Sequence, residues 1–260
     1  MNEPPSSCPN CGTDLQGRFC YWCGQKATST QVGLHDFVHE ATHEFLHLDG
    51  KILRTVKLLV LRPGQLTKEF LEGRRARYIS PLRVYLTLSV LFFALAAIVP
   101  GAMKGVVKVK TTASADAPAP SRIGEGLRKA EQDPEQLGQK VMHDLPRAMF
   151  VLMPVFGLLT WAFYRTQQPY YIPHLYYSVH LHAFAFLMMS LYVVAAWLLP
   201  KPLAALLLLT AVPYHFIALR RVFGGSRAMT FAKGFAIGAI YWILATTALL
   251  LVAFWVMMQL

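Results

Sequence analysis

Five long apolar runs fill the second half of the chain, and they leave few water-soluble architectures open to it. They cover residues 81–99, 148–164, about 177–199, 202–219 and 234 to about 258. Crossing the hydrocarbon core of a bilayer takes roughly 20 apolar residues in a helix, within a range of about 17–25. Only 15% of the chain is charged, against about 25% in soluble domains. From Leu145 to the last residue there is no Asp or Glu. The expected fold is therefore all-α, a polytopic membrane bundle of about five spans. Pro200-Lys201-Pro202 alone separates the third and fourth runs, so a re-entrant hairpin is the alternative to two full crossings.

The opening Met-Asn-Glu-Pro-Pro-Ser-Ser has no basic stretch followed by an apolar one, so it does not read as a signal peptide. The N-terminus is expected in the cytosol, and five spans then place the C-terminus outside. Arg74, Arg75, Arg77 and Arg83 fall on the same side as Arg220, Arg221, Arg227 and Lys233, as the positive-inside rule requires. Lys104, Lys108 and Lys110 fall on the other side. The expected division is a four-cysteine module in 1–26, interfacial amphipathic helices in 33–80 and a membrane domain in 81–260. Its extracytoplasmic loop, 100–145, holds a low-complexity linker at 113–121 and a polar surface helix at 123–141. No internal repeat is legible.

The strongest chemical signal is Cys8-Pro9-Asn10-Cys11-Gly12 followed by Cys20-Tyr21-Trp22-Cys23-Gly24, a C-x2-C-x8-C-x2-C spacing. Two such knuckles bring Cys8, Cys11, Cys20 and Cys23 together as four thiolates, a closed tetrahedral set that suits structural Zn²⁺. A reducing cytosol favours metal ligation over disulfides. Iron in a rubredoxin-like site and a redox pair are the alternatives. The eight-residue separation is short for a full ribbon, so a minimal zinc hairpin is expected, docking on a cytosolic protein partner or on its own membrane domain. Residues 8–26 contain only Arg18 and Lys26 as basic groups, too few to track a nucleic-acid backbone.

His35, His39, His43 and His47 recur every four residues and form a helical stripe. Two H-E-x-x-H strings overlap in it, and His39, Glu40 and His43 are the residues a zinc hydrolase would use as two ligands and a general base. Asp49 or another histidine would supply a third ligand. The competing readings are a pH-sensitive stripe and a plain polar face near headgroups.

Around this stripe, Leu34, Phe37, Val38, Ala41, Phe45 and Leu48, and then Ile52, Leu53, Val56, Leu59 and Val60, keep helical spacing. Such helices suit either the inner membrane surface or a small soluble bundle. Arg74, Arg75 and Arg77 precede the first span as a topology anchor, or as a site for anionic lipid headgroups or phosphate. His174, His180, His182 and His215 fall near span ends, where interhelical hydrogen bonds are the expected use and a lined cavity the alternative.

The series Cys8…Cys23-Gly24-Gln25-Lys26, His47-Leu48-Asp49-Gly50-Lys51, Arg54-Thr55, Arg62-Pro63-Gly64, Phe70, Gly73-Arg74-Arg75, Tyr78 and Pro81 resembles the bacterial family called domain of unknown function 3667. The resemblance is most specific over 8–92. It implies a double-knuckle zinc motif joined to a multi-span region of the bacterial inner membrane, and no activity. The expected function is non-enzymatic: transport or sensing of a small or lipid-like molecule, or an envelope scaffold. Its partners are the bilayer with its anionic headgroups and a cytosolic protein. The alternative is a membrane-associated zinc hydrolase.

Overall fold

A computed structural model of the chain describes residues 6–27, 33, 50–99, 128–129 and 132–259. The stripe of His35, His39, His43 and His47, and most of the loop from 100 onward, lie outside the described residues. Eight helices follow the N-terminal module among the described residues: α1 (Lys51–Leu61), α2 (Gln65–Leu71), α3 (Pro81–Ile98), α4 (Pro134–Tyr164), α5 (Tyr171–Leu198), α6 (Lys201–Leu209), α7 (Ala211–Phe223) and α8 (Arg227–Met257). The only β pairing among those residues is two isolated antiparallel bridges in the module, Ser7 with Asp14 and Phe19 with Lys26.

Five helical units are long and apolar enough to cross a membrane: α3, most of α4, α5, α6 with α7, and α8. Three of them, α4, α5 and α8, start earlier than the apolar runs do, and α4 and α8 begin at side-chain caps. Asp133 accepts from the Gln136 N–H at 2.8 Å and Pro134 occupies the first turn, so α4 begins well before residue 148. Its added turns bury Leu137 and Val141 against Val256 of α8. The polar helix expected at the surface and the second span are thus one continuous helix from Pro134. Ser226 caps α8 by accepting from Met229 N–H at 3.2 Å.

The fourth crossing is jointed. α6 ends at Leu209 and α7 starts at Ala211, with Pro213 in its first turn. Proline lacks the N–H that would continue the ladder of α6. Together the two pieces cover 23 residues, about 35 Å at roughly 1.5 Å per residue, which is enough for a full crossing.

α5 is the central element. Phe186 meets Tyr85 and Phe92 of α3, with ring centroids 5.6 and 5.7 Å apart. Phe184 stacks on Tyr214 of α7 at 3.7 Å. Ser178 and Tyr171 donate to the Met153 and Pro154 carbonyls of α4 at 2.5 and 2.9 Å. α8 packs along α4 and α7 and leaves most of its surface outward.

α1 and α2 turn their buried face, with Leu59, Leu66, Thr67 and Phe70, onto α5 and α7. The turn between them is held by Tyr214 Oη, which donates to the Leu59 carbonyl at 2.9 Å, and by Arg221, which donates to the Pro63 carbonyl at 2.5 Å. Both acceptors sit where a helix end leaves carbonyls without partners. Gly64 has φ +75°, and a Cβ there would lie 2.8 Å from the Ala218 carbonyl oxygen, so the backbone of α7 closes on this glycine. Leu53 and Leu61 remain exposed on α1 and are the apolar positions open to a bilayer surface.

Candidate metal centre and its docking loop

Each knuckle is closed by its own backbone. Gly12 N–H donates to Cys8 O at 2.8 Å and Gly24 N–H to Cys20 O at 2.9 Å, and both glycines have positive φ, 79° and 71°. Cys8 N–H donates to Thr13 O and Cys20 N–H to Gln25 O, each at 2.8 Å. Leu15 N–H donates to Ser6 O and Ala27 N–H to Arg18 O. Each bond of the first knuckle thus recurs twelve residues later. The repeat that is not legible in the sequence is present in the backbone: the module is a hairpin of two equivalent halves.

The halves bring the four sulfurs together. All four lie within 4.8 Å of one another. Cys8 and Cys23 are 3.6 Å apart, and Cys11 and Cys20 3.5 Å. Sulfurs placed tetrahedrally about 2.3 Å from an ion would be separated by about 3.8 Å, whereas a disulfide holds its sulfurs near 2.05 Å. The four cysteines are free, and their arrangement fits a four-coordinate metal. Thr13, whose hydroxyl lies 3.3 Å from the Cys11 sulfur, pulls that thiol down to about 6. Burial pushes Cys8 up to about 11. A bound cation would displace the proton that burial otherwise keeps on Cys8. With all four positions supplied by protein, such a metal has no open site for water or substrate.

The module is docked. Gln25, just after the second knuckle, donates through Nε2 to the Gly73 carbonyl at 2.7 Å. Its Oε1 accepts from the N–H groups of Arg75 at 3.1 Å and Ala76 at 3.0 Å. At the first knuckle, the Asn10 carbonyl accepts from Arg77 Nη2 at 2.8 Å. The loop between α2 and α3 is in turn pinned to α1, where Ile79 N–H donates to Thr55 Oγ1 at 3.2 Å. A continuous chain of hydrogen bonds thus runs from the cysteine hairpin to the start of the first span.

All three arginines of the expected anion site lie in this loop, and each has protein partners. Arg74 forks onto Glu69, with Nε to Oε2 at 2.7 Å and Nη2 to Oε1 at 2.9 Å, and also pairs with Glu72. Arg74 holds the Glu69 carboxyl below its ordinary range. Arg75 donates to the Phe70 carbonyl at 3.4 Å and Arg77 to Asn10. A headgroup reaching this cluster would share guanidiniums already engaged.

The membrane histidines join helices. His182 Nε2 and Tyr241 Oη are 2.6 Å apart, linking α5 to α8. His215 Nδ1 pairs with Tyr177 Oη at 2.9 Å, linking α7 to α5, and its Nε2 reaches the Gly234 carbonyl at 3.3 Å. His180 Nδ1 pairs with Thr67 Oγ1 of α2 at 2.9 Å, while its Nε2 is buried without a partner. His174 reaches the Gln168 carbonyl at 3.0 Å and stacks on Phe223. Because α5 starts at Tyr171, His182 is its twelfth residue and sits near mid-depth, not at a span end.

Sequence reasoning gave no role to Gln25, Asn10, Thr67 or Tyr241. Gln25 stands in the Cys23-Gly24-Gln25-Lys26 string, but one amide in a polar stretch carries no spacing signal. The family described as "Protein of unknown function (DUF3667)" matches residues 49–93. That stretch holds α1, α2, the docking loop and most of α3. No curated protein and no solved structure matches the chain.

Proposed function

We propose that this chain is a non-enzymatic protein of the bacterial inner membrane that acts as an envelope scaffold. A Zn²⁺-bound Cys8, Cys11, Cys20 and Cys23 module forms its fixed cytosolic head. The observation that carries the reading is the Gln25 amide, bonded on both sides to the loop that leads into the first span. Four thiolates select a soft, tetrahedral ion, and zinc is the one that needs no redox chemistry. Arg62, Arg165, Arg220, Arg221, Arg227 and Lys233 gather at the module's end of the bundle, which supports a cytosolic location for that end. The interhelical use of His182 and His215, and the lack of any carboxylate in α5–α8, weigh against a proton-coupled pump.

Metal analysis of the purified full chain tests this. One zinc per chain is expected, lost in the Cys8→Ser, Cys11→Ser variant, with a lowered thermal midpoint for the whole bundle. A second zinc removed by His39→Ala and His43→Ala, with peptidase activity abolished by Glu40→Gln, would overturn the reading and install the hydrolase.

A sensor or transporter of a small polar molecule is the second reading, and the unpartnered Nε2 of His180 favours it. It predicts a ligand-dependent rise in thermal midpoint that disappears in His180→Phe.

A further inference from the structure

The two halves of the hairpin are equivalent in backbone and opposite in use. Pro9 and Asn10 fill the tip of the first knuckle, and Asn10 is buried, with Arg77 on its carbonyl. Tyr21 and Trp22 fill the same positions of the second knuckle and are 71% and 77% exposed. Phe19, on the bridge just before this knuckle, is 61% exposed. Three aromatic side chains therefore stand in solvent on a module of 22 described residues. Two cations, Arg18 and Lys26, flank them and are themselves exposed. Exposed aromatic clusters of this kind mark a contact surface.

We infer that the tip of the second knuckle, Phe19, Tyr21 and Trp22 with Arg18 and Lys26, is a membrane-surface anchor that seats in the headgroup layer of an anionic leaflet. The inference rests on the proposal that the module is a zinc-bound head at the cytosolic end of the bundle.

Three observations choose a lipid surface over a protein partner. Gln25, three residues beyond Trp22, is tied to Gly73, Arg75 and Ala76, and α3 starts at Pro81, so the knuckle that carries the tip is fixed to the loop leading into the first span. Trp and Tyr are the side chains enriched at headgroup depth, where an apolar ring meets water through one polar atom. The exposed charges beside the rings, Arg18 and Lys26, are both cationic, and an anionic leaflet attracts each of them. The tip would act as a second foot, with the Gln25 bonds as the first.

Photo-crosslinking of the full, zinc-loaded chain tests the inference. p-Benzoylphenylalanine is placed at Trp22, and in a second variant at Tyr21. Each protein is reconstituted into vesicles of phosphatidylcholine alone or with phosphatidylglycerol. Irradiation should give a phospholipid adduct, with yield rising about fivefold or more in the anionic vesicles. That rise should vanish when Arg18→Ala and Lys26→Ala are added. A protein adduct in native membranes, no adduct, or a yield indifferent to anionic lipid overturns the anchor. Zinc content measured on the same samples separates the two readings: one zinc with no lipid adduct defeats the anchor alone, whereas absent zinc defeats the proposal beneath it.

Discussion

Gln25 and Gly73 lie 48 positions apart and are joined by a 2.7 Å hydrogen bond from the side-chain amide to the carbonyl. The other end of the same amide accepts from Arg75 and Ala76. One side chain therefore makes three of the bonds that fix the module on its loop, beside the Arg77 bond to the Asn10 carbonyl. Gln25→Ala removes all three bonds and should lower stability by about 1–3 kcal/mol, at about 0.5–1.5 kcal/mol per bond with partial rehydration of the loop. Zinc stoichiometry should not change, because no ligand is touched. Hydrogen exchange in the 73–77 loop, read beside metal content, checks both halves of this expectation.

Gly64 and Gly224 both have positive φ, 75° and 72°, but only Gly64 is crowded. Gly224→Ala should cost about 1–3 kcal/mol of backbone strain alone, because φ 72° with ψ −157° is a pairing that little but glycine adopts. Gly64→Ala adds a clash with the Ala218 carbonyl oxygen 2.8 Å away, and neither partner is a flexible side chain. It should cost distinctly more and loosen α1 and α2 from α7. Denaturant titration of both variants in the same detergent decides the ranking.

Acid should weaken the docking loop. The Arg74 fork holds the Glu69 carboxyl below its usual value. A depressed carboxylate contributes stability that is present above its unfolded value, near pH 4.3, and is lost as pH falls through the lower folded value. Thermal midpoints between pH 3 and 7 should show wild type falling at the acid end toward Glu69→Gln. At neutral pH the variant should be the less stable of the two. Parallel curves across the range would sink this account.

Tyr241→Phe removes the α5–α8 bond to His182. Single interhelical hydrogen bonds in membranes are worth about 0.6 kcal/mol on average and up to about 1.7. The cost should fall in that range. A double-mutant cycle with His182→Phe should return most of it as coupling.

How much of this was legible follows from where each signal lives. Cys8, Cys11, Cys20 and Cys23 were readable because ligand spacing is local. The five crossings were readable because hydrocarbon demands length. Helix starts at Pro134 and Arg227 were not, since polar first turns extend beyond any apolar run, and the start at Tyr171 was hidden by Pro173 and His174 in its first turn. The helical spacing of Leu59 was plain, but periodicity does not distinguish lipid from α7 as the surface it meets. The knuckle repeat was hidden because Pro9-Asn10 and Tyr21-Trp22 share no chemistry while sharing a backbone. The Gln25 dock was hidden because it joins distant segments through a single amide.

The bond from Tyr214 to Leu59 spans 155 positions. At about 5–20 residues per second, a ribosome takes roughly 8–30 s to deliver the second residue after the first. Through that interval the turn at Arg62-Pro63-Gly64 has no receiver, and until residues 171–198 are made Leu66 and Phe70 have no α5 to rest on. The packing of the α1–α2 turn therefore cannot be completed until α7 is made. A stretch translated late thus completes a part of the molecule begun near the start of translation.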